Sequence, residues 1–259
     1  MFKSKRTLII VALAIMLLLN SLTSLQAAVK FPLKLKDQFG RTLIIPKAPT
    51  RIVSAAPSNT ETLFALGLNA KIVGVTNWCN YPSEAQKIEK IGDIYPLNVE
   101  KIISLNPDLV VANNLNQLDK EGNVAKLMEF GVPVLILKTL SFKDILDSIA
   151  LIGQATGADK QAETLVKQLY GTMNRVQKQG AIIKKRGLKV YILLGWDSIW
   201  TAGPGSFLDE AVTLGGGINI ASDLDQPWGQ LSTETVLQRN PDVIITDIDP
   251  EKIYNDKIW

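Results

Sequence analysis

The sequence contains no histidine. That removes the usual general base at neutral pH and the commonest protein ligand of zinc and haem iron, so histidine-based hydrolase triads and a histidine-lined metal site are both excluded. Only one cysteine is present, Cys79, and no internal disulfide can form. With no imidazole to activate it, that thiol reads as a small buried residue rather than a nucleophile. Positive charge is also missing where it would matter. Of the 28 Lys and Arg residues, Lys3, Lys5 and Arg6 sit at the extreme N-terminus, which leaves 25 against 25 Asp and Glu over the rest. A nucleic-acid surface needs a basic excess gathered on one face, so no such partner is expected.

The N-terminus has the layout of a secretory leader. The three basic residues precede an uncharged apolar run at 8–19, polar Ser and Thr follow, and small Ala27 and Ala28 close the segment. The apolar run is short for a membrane span, and the alternative is an uncleaved anchor. Cleavage near Ala27 makes 1–28 a signal peptide and the remainder a soluble periplasmic protein. Cys79 lies far from the cleavage site, where a lipid-modified cysteine would have to be.

What the sequence does have is an internal echo. Residues 97–112 read LNVEKIISLNPDLVVA and residues 231–246 read LSTETVLQRNPDVIIT. Each copy predicts a short helix, N-capped by Asn98 or Ser232, feeding a buried strand launched by a Pro-Asp turn. Two similar α/β lobes follow. In lobe one, 29–157, an N-terminal hairpin turning at 37–40 precedes strands at 51–55, 72–75, 109–112 and 134–137, alternating with helices at 58–66, 99–105, 118–130 and 141–153. That alternation means a parallel sheet. Helical spacing without proline then predicts one long helix of about 25 residues, the core of an interlobe segment at 158–187, with a kink or early stop at Gly180 as the alternative. Lobe two, 188–259, begins with a strand at 189–194, continues through a helix at 206–214 and a Gly-rich turn at 215–217, and reaches the second echo. Only 13 residues follow Thr246. Equal lobes then imply that lobe two is truncated, lacking a strand and its covering helix, with an open sheet edge and a poorly anchored helix beginning at Asp249–Ile258.

Ligands of parallel α/β sheets sit beyond the carboxyl ends of the strands, and four of the five tryptophans fall there. Trp78 follows the second strand, Trp196 and Trp200 follow the first strand of lobe two, and Trp228 lies in the loop before the second echo. Flat apolar rings carrying one donor suit a broad, partly polar macrocycle, although such rings also plug lobe edges. Gly203-Pro204-Gly205-Ser206 lacks the third glycine of a dinucleotide fingerprint and reads as a helix-opening turn. An exported α/β enzyme using Asp197, Asp225 or Asp247 remains the weaker alternative, since scattered loop acids are usually solvated turn residues.

Five segments together carry a family resemblance: RIVSAAPSNTETLFALG at 51–67, VGVTNWCNYPSEA at 73–85, the first echo, TAGPGSFLDEAVTLGGGINIA at 201–221, and PWGQLSTETVLQRNPDVII at 227–245. The chain resembles the substrate-binding proteins of ABC importers for vitamin B12 and ferric siderophores, and NYP with WTAGPGS place it nearest the cobalamin-binding branch. The resemblance implies two Rossmann-like lobes joined by one long helix, the class III periplasmic binding protein architecture. It also implies capture of cobalamin as a transported ligand, with no resident cofactor and no catalysis, and delivery to a membrane permease by a monomer. A ferric siderophore or haem is the alternative cargo. By family position, Trp78 and Trp228 match aromatic ligand contacts and Tyr95 lies close to another. Trp196 and Trp200 are carried by location, and Ser58 and Asn59, after the first strand, complete the ligand-binding set. Glu100 and Glu234 occupy equivalent places in the two echoes and match the family's permease-docking glutamates, beside the local role of a carboxylate at a helix N-terminus.

Overall fold

The computed structural model describes residues 30–117, 122–194 and 200–247. The chain enters through an antiparallel hairpin, β1 (Leu33–Lys36) and β2 (Thr42–Ile45). Asp37 builds its turn. One carboxylate oxygen accepts from the Phe39 and Arg41 amides at 2.9 and 3.0 Å, the other pairs with the Arg41 guanidinium, and Gly40 takes a φ of 80° that would strain a side chain.

Lobe one follows as β3 (Ile52–Ser54), α1 (Pro57–Ala65), β4 (Ile72–Val75), α2 (Val99–Ser104), β5 (Leu109–Asn113), the single turn α3 (Asn114–Gln117), α4 (Asn123–Glu129), β6 (Val134–Leu137) and α5 (Phe142–Thr156). Its four strands form a parallel sheet in the order β4-β3-β5-β6. Strand alternation splits the core into two layers. Ile52, Leu109, Val111 and Leu135 pack with Leu63, Ile149 and Ile152, while Val53, Val110, Val134 and Ile136 pack with Ile102 and Leu127.

The connector α6 (Asp159–Ile183) is 25 residues of unbroken helix, about 37 Å at 1.5 Å per residue. Lobe two comprises β7 (Lys189–Leu193), β8 (Trp200–Ala202), α7 (Phe207–Leu214), β9 (Ile218–Asn219), β10 (Trp228–Gln230), α8 (Thr233–Arg239) and β11 (Val243–Thr246). Strands β9-β7-β11 make a parallel sheet, and β8 and β10 pair as a separate antiparallel ribbon. Among the described residues strand β11 lies at the edge of its sheet, and Val243, Ile244 and Ile245 are exposed. The leader and Asp249–Ile258 lie outside the described residues.

Several expectations need correction. Of the helix predicted over 118–130, the described part is α4, with Gly122, left-handed at φ 69°, at its start; 118–121 lie outside the described residues. Gly153 does not end its helix. It lies inside α5, where a Cβ would come within 2.4 Å of the Ala162 Cβ, so the missing side chain lets α5 and α6 pack closely, and Gly157 provides the left-handed stop. Gly180 neither kinks nor stops α6. A Cβ there would reach within 2.2 Å of the Leu214 carbonyl oxygen, so bare backbone of α6 rests on the C-terminal end of α7. Trp228 sits in β10, not in a loop.

The repeat extends beyond its sequence echo. Asn98 and Ser232 cap α2 and α8 by accepting from the Lys101 and Thr235 amides, and both helices are followed by an asparagine at φ 46°, Asn106 and Asn240. Asp108 accepts from the Thr50 and Arg51 amides, as Asp242 accepts from the Lys189 amide. Each returns its own amide to the same strand, to the carbonyls of Arg51 and Lys189 respectively. A cation from that strand then caps the helix C-terminus: Arg51 donates to the carbonyls of Leu105 and Asn106, and Lys189 donates to that of Arg239.

A polar contact also joins the lobes. Ser141 caps α5 by accepting from the Asp144 amide, which leaves the Phe142 N–H unpaired within its helix, and the Glu210 carboxylate on α7 accepts from it at 2.6 Å. A negative group at a helix N-terminus is favoured there by the free amides and the helix dipole.

Candidate functional site

Lobe one presents its aromatic residues on two segments at the carboxyl end of β4. The first, residues 76–82, is fixed from beneath. Lys90 Nζ donates to the carbonyls of Thr76, Cys79 and Ala85 at 3.4, 3.1 and 3.4 Å, so one ammonium satisfies three loop carbonyls. Buried Cys79 receives the Thr60 hydroxyl and lies 3.1 Å from that of Thr76, and Ser54 and Thr60 are joined at 2.7 Å. The cysteine is a packing and hydrogen-bonding element, as its isolation suggests. The second segment, residues 92–96, is held by buried Asn116, whose side-chain amide donates to the Ile94 carbonyl at 2.7 Å.

On this base Trp78 stands 63% exposed. Its indole N–H donates to Asp93 Oδ1 at 3.2 Å, and the Asn77 side chain reaches the same oxygen at 3.4 Å. Tyr81 and Tyr95 are exposed nearby in sequence. Ser58 is exposed in the first turn of α1, a helix whose Ncap position, Ala56, supplies no side-chain acceptor. Asn59 is placed differently. It is buried, and its amide donates to the Val111 carbonyl at 3.1 Å, tying α1 to β5, so it braces the sheet instead of facing solvent.

In lobe two the ribbon sets Trp200 opposite Gln230 and Trp228 opposite Ala202, so both indoles rise from the same face. Trp200 is exposed, whereas Trp228 is half-buried, edge-on to Phe207 at 6.2 Å between ring centres, and packed on the Val190, Ile192, Ala202 and Val212 cluster. Trp196 and Asp197 lie outside the described residues. Asp225 and Asp247 are exposed. Among the described residues no group of three or more Cys, Asp or Glu is gathered to hold a metal. A cavity of about 610 Å³ opens between α5, α6 and α7, beside the Phe142–Glu210 contact, and no aromatic candidate lines it. The aromatic residues therefore form open surfaces on each lobe.

Glu100 and Glu234 are both exposed in the first turns of α2 and α8. The Glu234 carboxyl is held below the ordinary carboxylate range by its own backbone N–H and then by the Ser232 hydroxyl. Sequence reasoning missed Asp93, which lies 15 residues from Trp78 with no local motif joining them, and Glu210, whose partner is on the other lobe.

A family model described as periplasmic binding protein matches residues 52–257. The chain belongs to the periplasmic binding protein family. Among relatives of this periplasmic binding protein, an uncharacterized ABC transporter substrate-binding lipoprotein of Bacillus subtilis is 38% identical, over 83% of this chain and 69% of that protein. A vitamin B12-binding protein of Pectobacterium carotovorum is 32% identical, over 79% of this chain and 74% of that one. Among solved structures, the periplasmic vitamin B12-binding protein of Vibrio cholerae superposes with a TM-score of 0.70 at 28% identity, covering 83% of this chain and 82% of its own. A periplasmic haem-binding protein of Roseiflexus gives 0.68 at 31%, covering 76% and 75%. The expectation of a two-lobed binding protein with parallel sheets joined by a long helix is met, and these relatives carry names of binding proteins rather than enzymes.

Proposed function

We propose that this periplasmic binding protein captures a corrinoid between its lobes and delivers it to the permease of an ABC importer. The observation that carries this reading is the exposed, tethered Trp78 ring on a segment that also exposes Tyr81, linked through Asp93 to the segment that exposes Tyr95, the two pinned by Lys90 and Asn116 respectively. A rigid aromatic surface with polar edges suits a broad macrocycle fringed by amides. Trp200 and Trp228 supply the lobe-two rings, Ser58 a hydroxyl at the start of α1, and Trp196 keeps its expected role by position. With no histidine to enter an axial cobalt position, the ligand is held by stacking, shape and hydrogen bonds. The vitamin B12-binding relatives support this cargo. The corrinoid is a transported ligand, not a cofactor, and nothing is done to it chemically. The leader at 1–28 places the mature monomer in the periplasm, and Glu100 and Glu234 offer one carboxylate per lobe to arginines of the permease.

Haem is the second reading, favoured by the Roseiflexus neighbour and by the exposed phenols of Tyr81 and Tyr95, since tyrosinate can ligate ferric iron. Equilibrium titration of the purified protein with cyanocobalamin, haemin and a panel of ferric siderophores separates the two. Saturable binding of cyanocobalamin in preference to the others is expected, and preferential binding of haemin or a siderophore would overturn the corrinoid reading.

A further inference from the structure

We infer that Asp93 is a positioning and specificity-determining residue of this site: it fixes the Trp78 ring and sets a negative charge against anionic ligands. The inference rests on the corrinoid reading and deepens it. Asp93 is exposed, and its Oδ1 collects both the Trp78 indole N–H at 3.2 Å and the Asn77 amide at 3.4 Å. An exposed indole with a free N–H would sample several rotamers; anchoring its polar edge holds the apolar face in one orientation before a ligand arrives, which lowers the ordering cost of binding. The segment carrying Asp93 is fixed independently through Asn77 N–H to the Gly92 carbonyl and Asn116 to the Ile94 carbonyl, so the anchor is itself anchored.

The second carboxylate oxygen is not used in this way. Among the described residues nothing donates to Oδ2, and the nearest lysine along the chain, Lys90, directs its ammonium to three backbone carbonyls. Asp93 therefore presents an acceptor at the polar edge of the Trp78 ring, and among the described residues no ion pair offsets its charge. Neutral carboxamides, the side chains that fringe a corrinoid, can donate to it. The carboxylates of haem propionates and of many ferric siderophores are repelled by it, a discrimination built from an unfavourable contact with the wrong ligand.

Substitution separates the two roles because asparagine keeps the acceptor and removes the charge, while valine removes both. Asp93→Val is expected to weaken cyanocobalamin binding about fivefold to tenfold, as loss of a charge-assisted hydrogen bond would. Asp93→Asn is expected to stay within about threefold of the parent for cyanocobalamin and to gain at least about threefold for haemin. In a Trp78→Phe background, which keeps a ring and lacks the N–H, Asp93→Val is expected to have at most half the effect it has in the parent. Thermal melts should not move, since the side chain is exposed and its hydrogen bonds among the described residues run to Asn77 and Trp78 alone. An Asp93→Val variant that binds as the parent does, or an effect undiminished in the Trp78→Phe background, overturns the positioning role. Unchanged haemin affinity in Asp93→Asn overturns the charge role. Each of these outcomes leaves the corrinoid reading standing, whereas a parent that binds haemin and not cyanocobalamin, or neither, overturns that reading and this inference together.

Discussion

The tryptophans that bracket the proposed site are held in different ways, and their substitutions should differ accordingly. Trp78 is exposed and touches Asp93, so Trp78→Ala should weaken cyanocobalamin binding by about 1 to 3 kcal/mol and leave the melting temperature unchanged. Trp228 also rests on the lobe-two core, so Trp228→Ala should weaken binding by a similar amount and lower the melting temperature as well. Parent-like affinity in both variants would remove these residues from the site. A third residue reports on pH. Burial pushes the Tyr191 phenol up to about 12, which means the fold favours the neutral form. The stabilisation is intact below the ordinary phenol value and is lost as pH rises through about 12, a loss of roughly 2 kcal/mol. Tyr191→Phe should flatten that part of the stability profile between pH 10 and 12; an identical alkaline decline in both proteins would contradict the assignment.

At the scale of elements, two glycines of one helix make opposite predictions. Gly171 has no atom within 4 Å of an added Cβ, so Gly171→Ala should stabilise by about 0.5 to 1 kcal/mol through helix propensity alone. Gly180→Ala would set its methyl against backbone of Leu214, Gly215 and Gly216, none of which can turn aside, and should destabilise by about 2 kcal/mol or more. Chemical denaturation of both variants checks the pair, and equal shifts would mean that α6 and α7 are not in backbone contact. The same helix shows what the sequence makes legible. Its length and continuity are readable because helical spacing is a local pattern, and so are the echo helices, whose caps lie within a few residues. The role of Gly180 is not readable, because the backbone it meets is more than 30 positions away. For the same reason Asp93 and the β8–β10 ribbon carry no sequence signal, while the positions of Trp78 after a strand end and of Glu234 at a helix start are readable locally. Asn59 shows the converse: correct proximity to a strand end does not tell a brace from a contact.

At the scale of the whole molecule, one carboxylate on each lobe, in duplicated geometry, predicts a two-point docking surface. Glu100→Arg with Glu234→Arg should leave ligand affinity unchanged and abolish binding to the permease in a pull-down or transport assay, because both rim charges then repel the proposed arginines. Undiminished transport by the double reversal would sink the proposal. The lobes should also move little when ligand enters. A continuous 25-residue connector, the Glu210 contact at the start of α5 and the bare-backbone seat at Gly180 all resist a hinge. Small-angle scattering that shows a large compaction on ligand addition would contradict this.

That seat has a mechanical consequence. Two helices separated by side chains can slide, because rotamers yield under load; where Gly180 and Gly216 let main chain rest on main chain, there is no compliant layer to shear. A pull applied to lobe two is passed through that seat to α6 with little slack, and α6 itself is then loaded in bending. A partner that grips both lobes and needs to part them must therefore flex a strut of about 37 Å. The stiffness of that strut, more than the stickiness of the aromatic rings, would set the force needed to let the cargo go.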